Sequence, residues 1–378
     1  MAPTAMYVHI PFCKQICYYC DFNKFYIDNQ PVTEYVQALK QEMTYAFQDK
    51  VLPLSSIYIG GGTPTALSIE DLETVLTDIH ENTRLDKGGE FTVEVNPGEA
   101  DADKLLMMKK LGVNRLSIGV QAFQNSLLSK IGRTHSAEEA QETIALAKKA
   151  GFENISIDLM FGLPGQTMEM WEETIQTMLA LDIPHVSAYS LKIEEKTMFY
   201  NWYRQGALEP MPEDEEAQMY EKLTSLLFDA GYDAYEISNF AKKGYESQHN
   251  QVYWKNEEYF GFGAGAHGYL DGERYMNTAP LNHYIKAVQH EKTAVKERHS
   301  VSLKEKMEEE MFMGLRMKKG VDDKRFKEKY GCSYLEVFEN AVPALIKQGL
   351  LINTEGSLRL TEKGRLLGNE VFEQFLLD

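Results

Sequence analysis

Cysteine is scarce in this chain, four residues in 378. That excludes a disulfide-stapled module of the secreted type. No apolar run approaches the ~18–20 residues that a membrane span requires. The first residues, Met1-Ala2-Pro3-Thr4-Ala5-Met6, carry neither a basic segment nor a long apolar core, so no secretory leader is expected. Basic residues are outnumbered, 39 against 57 acidic, for a net charge of −18. Such a surface repels phosphate backbones, which argues against nucleic acid as a partner. Low-complexity tracts are absent, as is any repeat beyond a strand–helix alternation. What remains, 43% hydrophobic and 25% charged, is the make-up of an ordinary globular protein with room for two or three domains. The expected location is the cytoplasm, whose reducing conditions favour metal binding or catalysis over disulfides.

Three of the four cysteines fall in Cys13-Lys14-Gln15-Ile16-Cys17-Tyr18-Tyr19-Cys20. A C-x3-C-x2-C spacing is too tight for separate strands or helices, so it is a loop wrapped around something. Thiolates are soft ligands that select zinc, Cu(I) or iron–sulfur clusters. A structural zinc ion wants four protein ligands, and Cys332 lies more than 300 residues away. A 4Fe–4S cluster is usually held by four cysteines, so three leave one iron open to an outside ligand.

β-branched and aromatic runs alternate with amphipathic stretches, the pattern of βα units and a parallel sheet. Strands are expected at 5–10, 56–60, 91–96, 115–121, 154–161 and 186–191. Helices are expected at 33–49, 68–82, 101–111, 136–150, 167–181 and 213–229. Ser68 and Ser136 precede acidic first turns as N-caps, and Gly112 and Gly151 stand where C-caps belong. A partial (β/α) barrel and a doubly wound sheet both fit, and both open their active face at the carboxyl ends of the strands. There lie the cysteine loop, Gly60-Gly61-Gly62-Thr63-Pro64, Glu94 with Asn96-Pro97-Gly98, Gln121 with Arg133, and Asp158 with Gly162-Leu163-Pro164-Gly165. Polar residues at one end of five successive strands are hard to explain as packing.

The stretch 203–216 reads as a loop. Residues 232–299 are rich in Tyr, Phe, Gly and His, with strand-like pieces at 234–237 and 269–275. From Val301 the chain is mostly helical and ends like a winged-helix module. With 13 basic and 14 acidic residues over 300–378 it lacks the basic patch of a DNA reader. Three domains result: 1–231, a core; 232–299, an aromatic-rich connection; and 300–378, a packing or partner-docking domain.

Tyr7-Val8-His9-Ile10-Pro11-Phe12-Cys13, Ile59-Gly60-Gly61-Gly62-Thr63-Pro64, Gly119-Val120-Gln121-Ala122-Phe123 and Asp158-Leu159-Met160-Phe161-Gly162-Leu163-Pro164-Gly165 resemble the oxygen-independent coproporphyrinogen III oxidase group of the radical S-adenosylmethionine (SAM) superfamily. The resemblance implies an α/β fold, a partial (β/α)6 barrel core with a smaller, mostly helical C-terminal domain. It implies that Cys13, Cys17 and Cys20 hold a 4Fe–4S cluster whose open iron takes SAM, for one-electron reduction to methionine and a 5′-deoxyadenosyl radical. An external electron donor is then needed. Gly61 and Gly62 let the backbone approach the methionyl end of SAM, and Thr63 adds a hydroxyl there. Glu94 accepts from an ammonium or hydroxyl, Asp158 from ribose hydroxyls, and Gln121 and Arg133 donate to carboxylate or ribose. Tyr7 is a further SAM contact. Tyr19 lies near the adenine or shields the cluster. For each, a structural hydrogen bond in the barrel mouth is the alternative. No catalytic acid, base or nucleophile is assigned.

Two features depart from the oxidases. Phe22 stands where they carry a fourth cysteine, and only six residues precede Tyr7 where they carry a longer segment. Both point to the heme-chaperone branch of the group, with heme and heme-accepting proteins as partners; oxidative decarboxylation of coproporphyrinogen III is the alternative. That branch resembles His249-Asn250-Gln251-Val252-Tyr253-Trp254, an HN-x2-YW signature, and Gly261-Phe262-Gly263-Ala264-Gly265-Ala266-His267. Imidazole is a common heme ligand, and Tyr253, Trp254, Tyr259, Phe260 and Phe262 offer flat apolar area for a porphyrin. His249 is the expected heme ligand and His267 the second candidate, with Lys242, Lys243 and Lys255 near enough in sequence to meet propionates. An aromatic core with a satisfied histidine is the alternative.

Overall fold

The computed structural model describes residues 3–47 and 50–377. Met1, Ala2, Gln48, Asp49 and Asp378 lie outside the described residues, and with them the outermost ends of the expected domains and of helix 33–49.

Strand β1 (Ala5–Ile10) is buried along almost its whole length, as befits a parallel strand covered on both faces. After it come β2 (Leu52–Gly61), β3 (Thr83–Val95), β4 (Arg115–Gln121), β5 (Asn154–Phe161) and β6 (His185–Ser190), each parallel to the one before. The intervening helices are α1 (Val32–Phe47), α2 (Ile69–Asn82), α3 (Ala102–Lys110), α4 (Ala137–Lys149) and α5 (Met168–Ala180), with α6 (Glu213–Asp229) after β6. Ser68 caps α2, and Ser136 with Glu139 forms a full capping box on α4. Gly112 and Gly151 take the left-handed conformation just past α3 and α4, at φ of +94° and +88°.

Residues 232–299 join the same sheet. β7 (Asp233–Ala234) and β8 (Asn239–Ala241) extend it antiparallel beyond β6. After α7 (Gln248–Trp254), β9 (Tyr259–Phe262) lies parallel to β1 on its other side, and β10 (His267–Leu270), β11 (Glu273–Asn277) and β12 (Val295–Ser300) continue outward. The order is β12-β11-β10-β9-β1-β2-β3-β4-β5-β6-β8-β7, an open twelve-stranded sheet. Its six βα units form the partial barrel, with inward side chains of β2 to β6 sharing one cavity.

Some sequence expectations change. The piece 269–275 is a hairpin, β10 and β11, turning on Asp271 and Gly272, both at positive φ. Such an Asp-Gly pair is the signal for a two-residue turn with both central residues left-handed. Tyr203 and Arg204 end a short helix, Met198–Arg204, and 213–216 already belong to α6. Another short helix, Asn125–Lys130, follows β4.

The apolar interior of the sheet and its helices runs from Met6 to Ala294. A second cluster, Met311 to Phe375, belongs to the C-terminal part. That part is α8 (Leu303–Gly314), further short helices and a three-stranded sheet of β13 (Val321–Asp322), β15 (Ser357–Leu360) and β14 (Leu351–Thr354), in that order. It meets the core through backbone bonds such as Lys318 N to Tyr235 O.

Candidate functional site

One cavity of about 350 Å³ opens at the carboxyl ends of the parallel strands, within the range of small-molecule sites. It brings together Cys13, Cys17, Cys20, Tyr19, Gly61, Gly62, Thr63, Glu94, Gln121, Arg133 and Asp158. Of the cofactor residues expected from the sequence, only Tyr7 does not line it. The Tyr7 hydroxyl bonds His9 Nδ1 at 2.9 Å and its ring stacks on Tyr58 at 6.2 Å.

The cysteine loop is held by backbone from several directions. Tyr18 N donates to Ile131 O, Ile27 N to Cys13 O, and Thr63 N to Phe12 O. His9 Nε2 bonds Asn23 O, and the Asn23 amide donates to Ala264 O and Ala279 O at 2.8 and 3.1 Å. Among the described residues no three His, Cys, Asp or Glu side chains converge on a single ion. Burial pushes the Cys13 thiol up to about 12. It therefore stays protonated until a metal displaces the proton.

Glycine at 61 and 62 answers to crowding by protein as much as to access. Gly61 sits at φ +116°, and a Cβ there would lie 2.4 Å from the His9 ring. A Cβ on Gly62 would lie 2.7 Å from Phe12 O and 3.0 Å from Cys13 Sγ. The glycines thus seat the end of β2 against the cysteine loop. The Thr63 hydroxyl is turned to Cys13 Sγ at 3.8 Å and accepts from Asn96 Nδ2 at 2.9 Å.

Beyond the loop the cavity is polar and incompletely paired. Arg133 donates to Asn96 Oδ1 at 2.7 Å and to the Tyr19 hydroxyl at 3.0 Å. Among the described residues its Nε is buried without a partner. Asp158 accepts from Ser117 at 3.2 Å, and its burial raises its pKa above the ordinary carboxylate value. Gln121, a non-glycine residue at φ +67°, sits where the β4–β5 ladder slips. Such strain costs about 1–3 kcal/mol and gathers at functional sites. Asn96, Tyr58, Ser117, Ser187, Tyr189 and Asn250 also line the cavity and were not singled out as ligand residues from sequence. Strand alternation finds Tyr58, two residues before Gly60 on the same face.

This donor set suits a cluster with an amino-acid-bearing nucleoside: three thiols, an under-paired guanidinium for a carboxylate, and buried carboxylates for amine and hydroxyl donors. Glu94 accepts from Tyr58 at 2.7 Å and from Gly61 N at 3.1 Å, and burial pushes it up to about 7. Below that pH the acid is protonated, and only its ionised form offers both oxygens and a negative charge to a bound ammonium or hydroxyl donor. The affinity of cluster-loaded protein for SAM is therefore expected to rise with pH, by up to roughly tenfold per unit below 7, and to flatten above. Glu94→Gln is expected to bind more weakly and without that slope, as equilibrium dialysis from pH 6 to 8 checks.

His249 is placed differently from the open ligand expected. It is 1% exposed, in α7. Its Nδ1 is 3.0 Å from Ser56 Oγ and its Nε2 is 2.9 Å from the Tyr253 hydroxyl. Burial, followed by the Arg115 charge, pushes its pKa down to about 3. A neutral imidazole with both nitrogens engaged has no lone pair free for iron. His267, at the start of β10, is exposed.

Residues 7–178 match the model of the radical SAM superfamily, and 301–367 that of the HemN C-terminal domain. The chain is 50% identical over 372 residues to a Bacillus subtilis protein named heme chaperone HemW, covering 98% of each. It is 48% identical over 377 residues to the protein of that name from Lactococcus lactis, covering 100% of this chain and 98% of the relative. Its fold is similar to that of the Escherichia coli coproporphyrinogen III oxidase HemN, with a TM-score of 0.86 over 99% of this chain and 90% of that one, at 23% identity. At that identity the likeness speaks for the fold alone.

Proposed function

The chain belongs to the radical SAM superfamily, and from that membership we propose that it is a heme chaperone, binding heme and passing it to acceptor proteins. The superfamily implies a 4Fe–4S cluster and SAM. The observation that carries the heme reading is the collinear match over 98% of both chains to a relative named for that activity. Phe22 supports it: it lines the cavity and is 64% exposed, in the place where an oxidase is expected to carry a cysteine.

Cys13, Cys17 and Cys20 hold the cluster, Arg133 meets the SAM carboxylate, and Glu94 and Asp158 accept from its donors. Tyr19, fixed by Arg133, walls the cavity beside the loop. A cluster held there would supply one-electron reducing power toward SAM, drawn from an external donor. On this reading the work takes place in the cytoplasm. No described helix is long and apolar enough to cross a membrane.

For the heme iron we infer His267. Its ring is open to solvent, whereas His249 would have to give up two hydrogen bonds. Asn23 packs against Gly265, where a Cβ would come 2.7 Å from its amide. Phe22, which lines the cavity, and the exposed His267 stand one and two residues from that contact.

The test is spectral titration of the anaerobically reconstituted protein with heme, beside an assay with SAM, reductant and coproporphyrinogen III. A saturable Soret band and no protoporphyrinogen IX are expected, with the band altered in His267→Ala. Turnover matching an authentic oxidase run in parallel, or no heme binding at all, would overturn the reading.

A further inference from the structure

The HN-x2-YW signature lies at the opposite end of the strands from the cysteine loop. Helix α7, which carries it, starts on Glu90, whose carboxylate accepts from Ser247 Oγ, Gln248 N and His249 N at 3.1, 2.9 and 3.2 Å. Glu90 and Ser56 are paired neighbours in β3 and β2, level with Ala5, the first residue of β1. The helix thus stands under the cavity, anchored to two strands, and its next residue, Asn250, lines the cavity itself. The Asn250 backbone N–H is used by the Ser247 cap. Its side-chain amide has no hydrogen-bond partner among the described residues and is open to the space it shares with Arg115, Ser117, Asp158 and Ser187.

His249 points into protein instead. Its ring stacks on Tyr58 at 5.2 Å and 26°, and Tyr58 stacks on Tyr7 at 6.2 Å and 25°. Tyr253 meets the other side of the imidazole edge-on at 5.1 Å. Held between two rings, the Tyr58 side chain has one direction for its hydroxyl, which donates to Glu94 Oε1 at 2.7 Å. A chain of contacts therefore runs Ser56–His249–Tyr58–Glu94, from the foot of the strands to the carboxylate in the cavity.

We propose that α7 is a plug in the cavity floor, whose Asn250 amide hydrogen-bonds the SAM held above it and whose His249 is a positioning residue that sets Tyr58 and, through it, Glu94. This rests on the reading that the cavity takes SAM. It gives the signature a place in SAM binding and removes its histidine from heme iron.

The experiment uses the full chain, anaerobically reconstituted. SAM binding is followed by equilibrium dialysis and by the change SAM makes in the electron resonance spectrum of the reduced cluster; heme is followed by its Soret band. Asn250→Ala is expected to weaken SAM about tenfold, the loss of one hydrogen bond, with iron content unchanged. His249→Phe keeps the stacked ring and removes both hydrogen bonds; it is expected to weaken SAM and leave the Soret band in place. Tyr58→Phe removes only the hydroxyl and is expected to match it. In a double-mutant cycle the two losses are expected to be much less than additive, since both act on Glu94; independent structural damage would add. Asn250→Ala, which leaves the buried stack intact, covers the case in which His249→Phe does not fold. A changed Soret band in His249→Phe with normal SAM binding, normal SAM binding in Asn250→Ala, or additive losses in the cycle would overturn the proposal. Failure of unaltered, cluster-loaded protein to bind SAM would instead overturn the cofactor reading beneath it.

Discussion

Serine at Cys13, Cys17 or Cys20 is expected to strip the protein of iron. Reconstituted without oxygen, the unaltered chain should hold about four iron and four sulfide, and each single variant close to none. A serine hydroxyl does not ionise to replace a thiolate, and two thiolates do not retain the cluster against chelation by solvent and buffer. The loop gives no substitute ligand, because its neighbours Thr63 and Asn96 are bonded to each other and to Cys13 and Arg133. Cys332 is the control. It lies against the C-terminal cluster, its Sγ 3.8 Å from Tyr330 O, and Cys332→Ser should keep full iron content. Colorimetric iron and acid-labile sulfide assays decide it; a loss of iron in Cys332→Ser would show that a fourth protein thiolate takes part.

Gly61→Val is expected to abolish the SAM response and destabilise the fold as well. The residue would have to take φ +116° with its Cβ 2.4 Å from a buried imidazole. A β-branched side chain at such a φ costs about 1–3 kcal/mol, and overpacking adds about 1–3 more. A total of roughly 2–6 kcal/mol is a large part of the roughly 5–15 that hold a domain together. His9 cannot yield cheaply, since its nitrogens bond Tyr7 and Asn23. Its displacement would also move the segment after Cys20. Thermal unfolding and the SAM-induced change in the reduced cluster's resonance are the measurements. A variant as stable and as SAM-responsive as the parent would remove the argument from close packing.

Three strands, 5–10, 115–121 and 154–161, were legible to the residue, because each places a large apolar residue at every second position between turn or cap residues. The strands after residue 232 were harder to read. β9 is Tyr-Phe-Gly-Phe, four residues whose glycine is needed because a Cβ would strike His267 O at 1.8 Å. β12, Val-Lys-Glu-Arg-His-Ser, is a mostly exposed edge strand whose charges keep further strands from adding. Its polarity hides it from any pattern of apolar residues. In the site, the strand-end rule gathered the cysteines, glycines and acids, but it does not tell which side chains point at a ligand and which brace another residue. Thr63, Tyr7 and His249 are bonded to protein, and only their partners' positions reveal that. Asn96 and Asn250 carry no composition signal; their place depends on a loop turn and a helix start.

The pin at Asn23 sets an order of events during synthesis. The loop it secures leaves the ribosome early, but its acceptors, Ala264 O and Ala279 O, come 241 and 256 residues later. At about 5–20 residues per second that gap is roughly 12–50 s of translation. Throughout it β1 also lacks β9, its neighbour on one side. A growing chain therefore exposes its three thiols well before it can close the pocket around them. Iron delivered in that interval would meet an unfinished site.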